Sequence, residues 1–477
     1  LYNIYILTLI LYYSCMIYEL KKPNKQSMFR RLSTLMEPVK KEKIVVILGS
    51  TATGKSDLSI QLATHFNGEI INSDSMQLYK NVDIVTNKHP IEERNNIPHH
   101  LMDFLPLSES YNLSLFEKDC NQKIKELLGN SKLPIIVGGT HYYLQALFNK
   151  TISEEYSRDL WTEEERNFLK ENQFNTQVLY DELTKVDPVI ASKWHPNDQT
   201  KLYNMLKIYY STKEKPSDIY LSQEFSMKYD VLFLWVYSKP EILNKRLDNR
   251  VDGMFDKGAL EEVKYLYEKF KEYNIGENRE EKMKSGIWQV IGFKEFLPWL
   301  EDDCQDQKKF DQGKEVMKIK TRQYAKSQVK WIKNTLVPDI KGKNLFVLNA
   351  SDLNEWKGKV ENRAIDITQN FLKDLDIDKF EQTPEELSDL LDKTKLEKFQ
   401  SVKNPIELKL NLAPFTCDNC TDKKGKPLVI IGQEKFKEHL NSNKHKHVLQ
   451  YIAKKRKFEE WKKQQEEKEK EEGNVDI

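Results

Sequence analysis

The run Gly49-Ser-Thr-Ala-Thr-Gly-Lys-Ser56 has the form G-x-x-x-x-G-K-S and directly follows the apolar stretch Ile44-Val-Val-Ile-Leu48. Its glycines permit a tight turn that points several backbone N–H groups at one spot. Lys55 adds a point charge there, and the Ser56 hydroxyl is of the kind that holds Mg²⁺ beside phosphates. Gly49, Ser50, Thr51, Ala52, Thr53, Gly54, Lys55 and Ser56 therefore read as a cradle for a di- or triphosphate. A second run, Glu69-Ile-Ile-Asn-Ser-Asp-Ser-Met-Gln-Leu-Tyr79, reads as a strand ending in a polar turn. In an open parallel sheet, ligands bind beyond the carboxyl ends of the strands, which turns Asp74 toward the same crevice. A carboxylate there can bind Mg²⁺ or take a proton from an incoming nucleophile. Taken alone, an Asp in such a place is more often the cap of its own turn. A third run, Leu133-Pro-Ile-Ile-Val-Gly-Gly-Thr140, ends in glycine where a motor-type ATPase has an Asp. That argues against an ATP-hydrolysing machine and for a transferase or small-molecule phosphate handler.

A separate constellation lies near the C-terminus. Cys417, Cys420, His439 and His445 have the spacing C-x2-C-x18-H-x5-H, which suits a closed tetrahedral structural Zn²⁺ site. Leu428-Val-Ile-Ile-Gly432 is expected as the hairpin strand and Glu434 to His445 as the helix. The long gap between the histidines resembles matrin- or U1-like fingers. His447 is a weaker substitute for His445. Lys444, Lys446 and Lys454 to Lys457 cluster beside the finger, which points to contact with an RNA backbone; docking of a protein is the second reading. His99 and His100 could serve catalysis, but a structural part in the Pro-His-His-Leu turn is at least as good a reading.

These residues need elements to hold them. The phosphate loop is expected to open a helix over Asp57 to Phe66, and Tyr229-Asp-Val-Leu-Phe-Leu-Trp-Val-Tyr237 to be a buried strand. Residues 43–150 and 216–340 then form an α/β core, a P-loop NTPase-like parallel sheet flanked by helices. Residues 151–215 are helical in pattern, rich in charge and Trp, and form an insertion. Residues 341–410 hold one strand-like run, Asn344 to Asn349, then acidic helices and a Lys-rich linker. Residues 411–450 are a ββα finger, and 451–477 a Glu/Lys-rich tail, frayed or disordered.

Four motifs together match a family. Gly49 to Ser56, Asn72-Ser-Asp-Ser-Met-Gln-Leu-Tyr79, Ile97-Pro-His-His-Leu-Met-Asp103 and Val137-Gly-Gly-Thr140 resemble, in order and spacing, the tRNA dimethylallyltransferases. The likeness continues through His195-Pro-Asn-Asp198, Gly286-Ile-Trp-Gln289, Ile291-Gly-Phe-Lys-Glu295, Thr321-Arg-Gln-Tyr-Ala-Lys326 and Gln328-Val-Lys-Trp331. It covers about residues 43–340 and is nearest the eukaryotic branch. The resemblance implies transfer of a dimethylallyl group from dimethylallyl diphosphate to N6 of adenosine 37 in the tRNA anticodon loop. It makes Asp74 the base and adenine reader and puts Thr51 near the bridging oxygen. Lys55, Ser56 with Mg²⁺, and Arg322 would neutralise diphosphate charge. Ser75, Met76, Gln77, Thr140 and Lys201 would meet the tRNA, and the insertion would close over the anticodon stem. Two positions depart from the pattern: Asn204 and Ser327 stand where the family has Arg. Lys201 or Lys207 is left to compensate. The alternative is a nucleoside or metabolite kinase fused to a nucleic-acid finger, with Arg246 and Arg250 on its lid.

Composition sets the remaining bounds. A chain of 477 residues implies more than one domain. The net charge of +1 gives no global nucleic-acid signal, so local basic patches must do any RNA binding. Five Cys, two of them in a C-x2-C, suit a reducing compartment and a metal site rather than disulfides. Residues 1–42 form an N-terminal extension. Its first 20 residues are apolar and Tyr-rich and marginal for a membrane span, and Leu at position 1 suggests a fragment or a misassigned start. From Met28, an Arg- and Ser-containing stretch without acids until Glu37 looks like the start of a mitochondrial presequence. The expectation is a monomer without stable membrane association, in the cytoplasm, the mitochondrion or both, with the nucleus a further option.

Overall fold

Runs of β-branched and aliphatic residues set the architecture. Lys43–Leu48 (β1), Gly68–Asn72 (β2), the short His99–His100 (β3), Leu133–Val137 (β4), Asp230–Tyr237 (β5) and Leu345–Asn349 (β6) form one sheet in the order β3-β2-β4-β1-β5-β6. The pairs β2–β3, β2–β4, β1–β4 and β5–β6 are parallel. Because helices cover both faces of such a sheet, its strands are apolar on both sides. Val45, Ile47, Ile70, Ile135 and Leu234 pack one way, against Leu58 and Leu62 of α1 (Lys55–His65) and Ile367 and Phe371 of the late helix Arg363–Leu372. Val46, Leu48, Ile71, Ile136 and Trp235 pack the other way, against Phe116 and Ile124 of α2 (Leu113–Gly129) and Val263 and Leu266 of the helix Ala259–Tyr273. This is a computed structural model, and it describes residues 41–149, 161–222, 226–273, 279–391, 394, 396–397, 414–422, 425 and 427–472.

The connection between β4 and β5 carries the helical insertion. It contains α3 (Glu163–Glu171), α4 (Thr176–Val186) and α5 (Gln199–Thr212), with no strand among its described residues. It has its own core of Leu169, Leu179, Leu183, Leu202 and Leu206 around Trp161. The chain enters and leaves it as a pair: Asn149 N–H donates to Ser226 O at 2.8 Å, and Lys228 N–H to Leu147 O at 2.8 Å. After β5 come α6 (Pro240–Asp256), α7 (Ala259–Tyr273), α8 (Gln307–Trp331) and α9 (Arg363–Leu372).

Several boundaries differ from the sequence reading. The helix after the phosphate loop starts at Lys55 rather than Asp57, because Gly54, left-handed at φ 89°, is itself the cap. The run assigned to a linker region, Leu345–Asn349, is the sixth strand, parallel to β5. The core therefore extends past residue 340 and takes in α9. At the C-terminus, Pro414–Thr421 (β7) and Pro427–Ile431 (β8) pair antiparallel. The helix expected over 434–445 is two helices, α10 (Gln433–Asn441) and α11 (Asn443–Glu472), broken at Ser442, whose extended backbone (φ −70°, ψ 148°) turns the chain. The same α11 runs through most of the expected tail. The apolar residues 1–20, the basic stretch from Met28 to residue 40, and residues 150–160, 401–413 and 473–477 lie outside the described residues. No helix among the described residues is long and apolar enough to cross a membrane.

Candidate active site

The phosphate loop leaves β1 beside the carboxyl ends of β4 and β5, the position at which such sheets bind ligands. Its turn is closed from within: Thr53 Oγ1 and Lys55 Nζ both donate to the Ser50 carbonyl, at 2.9 and 2.7 Å. Glycine is needed at position 54, where φ is positive and an added Cβ would lie 2.5 Å from the Trp356 ring. Gln328 of α8 ties the loop to the glycine turn after β4. Its Oε1 accepts from Thr51 N–H at 2.9 Å and its Nε2 donates to Gly139 O at 2.9 Å. His141 Nε2 accepts from Gly49 N–H at 3.3 Å. Burial, helped by the charge of Lys55, lowers the His141 pKa to about 3. The ring is therefore neutral, as an accepting Nε2 requires.

The turn after β2 is built with equal care. Asn72 Oδ1 accepts from Asp74 N–H at 3.0 Å, and Asn72 Nδ2 donates to Leu101 O at 2.8 Å. Asp74 Oδ1 accepts from Met76 N–H at 3.0 Å. Thr140 Oγ1 accepts from Ser75 N–H at 2.9 Å. Gly139 passes so close that a Cβ there would sit 2.8 Å from Asp74 Oδ2, so the glycine turn is what lets the carboxylate stand at this spot.

Both turns open into a cavity of about 440 Å³. Thr51, Ala52, Gly54, Lys55 and Ser56 line one part of it, with Asp74, Ser75, Met76 and Gln77 beside them. Arg250 of α6 reaches in, donating from Nη1 to Thr51 Oγ1 at 2.6 Å. Val85, Met254, Val290, Ile291 and Met317 add an apolar wall. Burial dominates the charges. It lowers Lys55 to about 8, against the attraction of Asp74. It lowers Arg250 to about 10, again against Asp74. It raises Asp74 above the usual carboxylate range, against the Met76 hydrogen bond and Lys55. The site thus holds two cations that an anion would stabilise, and one carboxylate made more basic than a free one. An oxyanion leaving group, an apolar fragment and an amine needing deprotonation all have a place here.

The structure redistributes the remaining site residues. Gly49, Ser50 and Thr53 shape the loop without lining the cavity, and Thr140 acts through Ser75. Arg322 does not line the cavity: it is ion-paired with Asp248 of α6. The helical period explains this. Met317, Thr321, Tyr324 and Gln328 occupy the face of α8 turned to the site, and Arg322 is rotated off it. The arginine at the cavity is Arg250, one of the two that the kinase reading placed on a lid. Tyr324, which donates to Gly139 O at 3.2 Å, and Gln328 were missed in motifs that were otherwise noticed. Taking the 3.6-residue period through Thr321-Arg-Gln-Tyr would have selected them over Arg322. Lys201 lies on α5, paired with Asp198 at 2.9 Å and 4.6 Å from the Trp194 ring centre. Asn204 is on the same helix, and Ser327 Oγ donates to Tyr324 O at 2.7 Å. His100 Nε2 meets Glu69 at 2.7 Å, whereas His99 lines the cavity with Nδ1 at 2.8 Å from Ile97 O.

In the finger, ligand atoms of Cys417, Cys420, His439 and His445 all lie within 4.8 Å of one another. His445 Nδ1 is 3.6 and 3.3 Å from the two sulfurs, and His439 Nε2 is buried with no hydrogen-bond partner among the described residues. Such separations suit four ligands about one tetrahedral ion. The finger meets the insertion where Asn197 Nδ2 donates to Asp422 Oδ2 at 2.6 Å.

Comparison with known proteins agrees with this geometry. The model of the family described as IPP transferase matches residues 77–335, starting just after Asp74. The chain is 46% identical over 424 residues to a tRNA dimethylallyltransferase of Saccharomyces cerevisiae, covering 88% of this chain and 95% of that protein. It is 31% identical over 436 residues to a Homo sapiens protein of the same name, covering 85% of each. A solved structure of a eukaryotic dimethylallyltransferase acting on tRNA matches with a TM-score of 0.75 at 45% identity, over 88% of this chain and all of that one.

Proposed function

The chain belongs to the tRNA dimethylallyltransferase family, the IPP transferases, and we propose that its cavity joins dimethylallyl diphosphate to the N6 amine of adenosine 37 in the tRNA anticodon loop. The observation that carries this is the convergence of Lys55, Arg250 and Asp74 on one partly apolar cavity. In the transfer, the C–O bond to diphosphate breaks and a bond from N6 to the same carbon forms. The amine's proton goes to Asp74, whose raised pKa suits a base. The diphosphate leaves against the loop N–H groups, Lys55 and Arg250. Met254 and Met317 would shelter the dimethylallyl chain. The anticodon loop is already single-stranded, so presenting an unstacked adenine costs little. The Ser56 hydroxyl, lining the cavity beside Lys55, suits Mg²⁺, which when bound would neutralise further charge on the diphosphate.

The test is donor dependence. Incubated with tRNA and dimethylallyl diphosphate, the chain is expected to give isopentenyladenosine, read by nucleoside mass spectrometry, without ATP. Stoichiometric ATP hydrolysis coupled to the modification would refute this reading; the kinase alternative requires phosphoryl transfer from ATP with no isopentenyladenosine formed.

Zn²⁺ held by Cys417, Cys420, His439 and His445 would fold the finger. Its basic neighbours Lys444, Lys446 and Lys454 to Lys457 would meet the tRNA backbone, and the insertion with Lys201 would meet the anticodon stem. The expected result for Cys417→Ala is loss of one bound zinc per chain by metal analysis. The same variant should bind tRNA more weakly, with a shallower salt dependence, while single-turnover transfer at saturating tRNA is kept. Unchanged tRNA affinity and salt slope would assign the finger to a protein partner. For the whole protein we propose a monomer, in the cytoplasm or mitochondrion.

A further inference from the structure

The segment 80–88 follows the Asp74 turn and supplies Val85, Thr86 and Asn87 to the cavity wall. It has no strand or helix to satisfy its backbone. Two backbone bonds close a turn within it, Asn87 N–H to Ile84 O at 2.9 Å and Lys88 N–H to Asp83 O at 2.8 Å, and side chains fix the rest. Glu262, in the first turn of α7, receives three successive N–H groups. Its Oε1 accepts from Asp83 and Ile84 at 2.8 and 2.9 Å, and its Oε2 from Ile84 and Val85 at 3.0 and 2.9 Å. A run of backbone N–H groups converging this way is an anion-binding concavity, and here the protein fills it with its own carboxylate. From the other side, Gln77 Nε2 donates to Thr86 O at 3.2 Å and Asn87 O at 3.0 Å. Lys88 locks the end of the segment, donating at 2.6 Å to Tyr79 O and to Asp83 and Asp103.

We propose that Glu262 is a positioning residue for the nucleotide side of the cavity: by clamping residues 83–85 it sets Val85, Thr86 and Asn87 against the bound RNA. The side is fixed by the partner of the clamp. Gln77 belongs to the Asp74 turn, where the amine must sit, whereas the diphosphate end is the separate loop 49–56. The inference rests on the transferase reading above.

A glutamine at 262 keeps the size but offers one accepting oxygen in place of two, and it turns an NH₂ group toward backbone donors. Full-length Glu262→Gln is expected to raise the KM for tRNA about tenfold, the scale of losing hydrogen bonds to a charged acceptor. The KM for dimethylallyl diphosphate should stay within about twofold, since the 49–56 loop is untouched. Glu261→Gln, one residue away and exposed, should change neither. Hydrogen exchange should find the amides of Ile84 and Val85 protected in the native chain and faster in Glu262→Gln. Should the variant not fold, exchange on the native chain still decides: 83–87 should slow further on adding tRNA but not on adding donor. An unchanged tRNA KM, an equal rise in both KM values, or no slowing with tRNA overturns the proposal. A native chain with no transfer activity at all would instead overturn the reading it rests on.

Discussion

Asp74→Asn is expected to lower single-turnover transfer at saturating tRNA by about two to four orders of magnitude, the range typical of losing a general base. That corresponds to about 3–5 kcal/mol of barrier. The substitution is nearly isosteric, and an asparagine oxygen can keep the bond from Met76 N–H that orients the side chain. What disappears is the basic oxygen. Burial raises the Asp74 pKa and so strengthens it as a base, against the opposing pull of the hydrogen bond from Met76 and the charge of Lys55. The melting temperature should change little or rise, since a desolvated carboxylate is costly and an amide is not. A variant that keeps near-native turnover while retaining its fold would remove Asp74 from the proton transfer and leave it as an adenine contact alone.

How far the sequence carried this site depends on the kind of signal. The phosphate loop was legible because glycine, lysine and serine at fixed spacing have few other uses, and Asp74 because a strand end points at the loop. The sheet was legible from strands apolar on both faces. β6 also reads as strand-like, but the acidic, Lys-rich stretch after it set it outside the core, and the two-residue β3, His99–His100, reads as a turn and is instead a parallel edge strand. Arg250 and Gln328 were not legible in their roles. Each lies far from the loop in sequence, and each acts through a contact that only the packing of α6 and α8 creates: Arg250 with Thr51, and Gln328 with both Thr51 and Gly139. The family resemblance put Arg322 at the diphosphate, but α8 turns its charge to Asp248. The break at Ser442 was also hidden, since a metal-ligand spacing constrains where histidines meet and not whether one helix carries both. Glu262 had no motif at all. Its role consists of four bonds from backbone N–H groups, and backbone donors leave no trace in residue types.

The second large effect is expected at Lys55, and it has a pH signature. Lys55→Ala removes the one ammonium inside the phosphate loop and should raise the donor KM and reduce turnover by several hundredfold or more, on the order of one lost transition-state charge contact. In the free protein, burial has already brought Lys55 down to about 8. The sign follows directly. The useful form is protonated, so kcat/KM for the donor should hold at neutral pH and fall as pH passes about 8, because that ratio reports the free enzyme. With diphosphate bound, the added negative charge pulls the lysine's pKa back up, so kcat should stay flat to higher pH than kcat/KM. Arg250, lowered only to about 10, is still charged as pH passes 8 and so does not produce the fall there. Asp74 titrates in the opposite sense, since it acts as a base when deprotonated, and would limit the rate on the acid side. Measuring both parameters from pH 6 to 10 separates the groups. An alkaline limb shared equally by kcat and kcat/KM, or one that survives in Lys55→Arg, would assign the titration to a group other than this lysine.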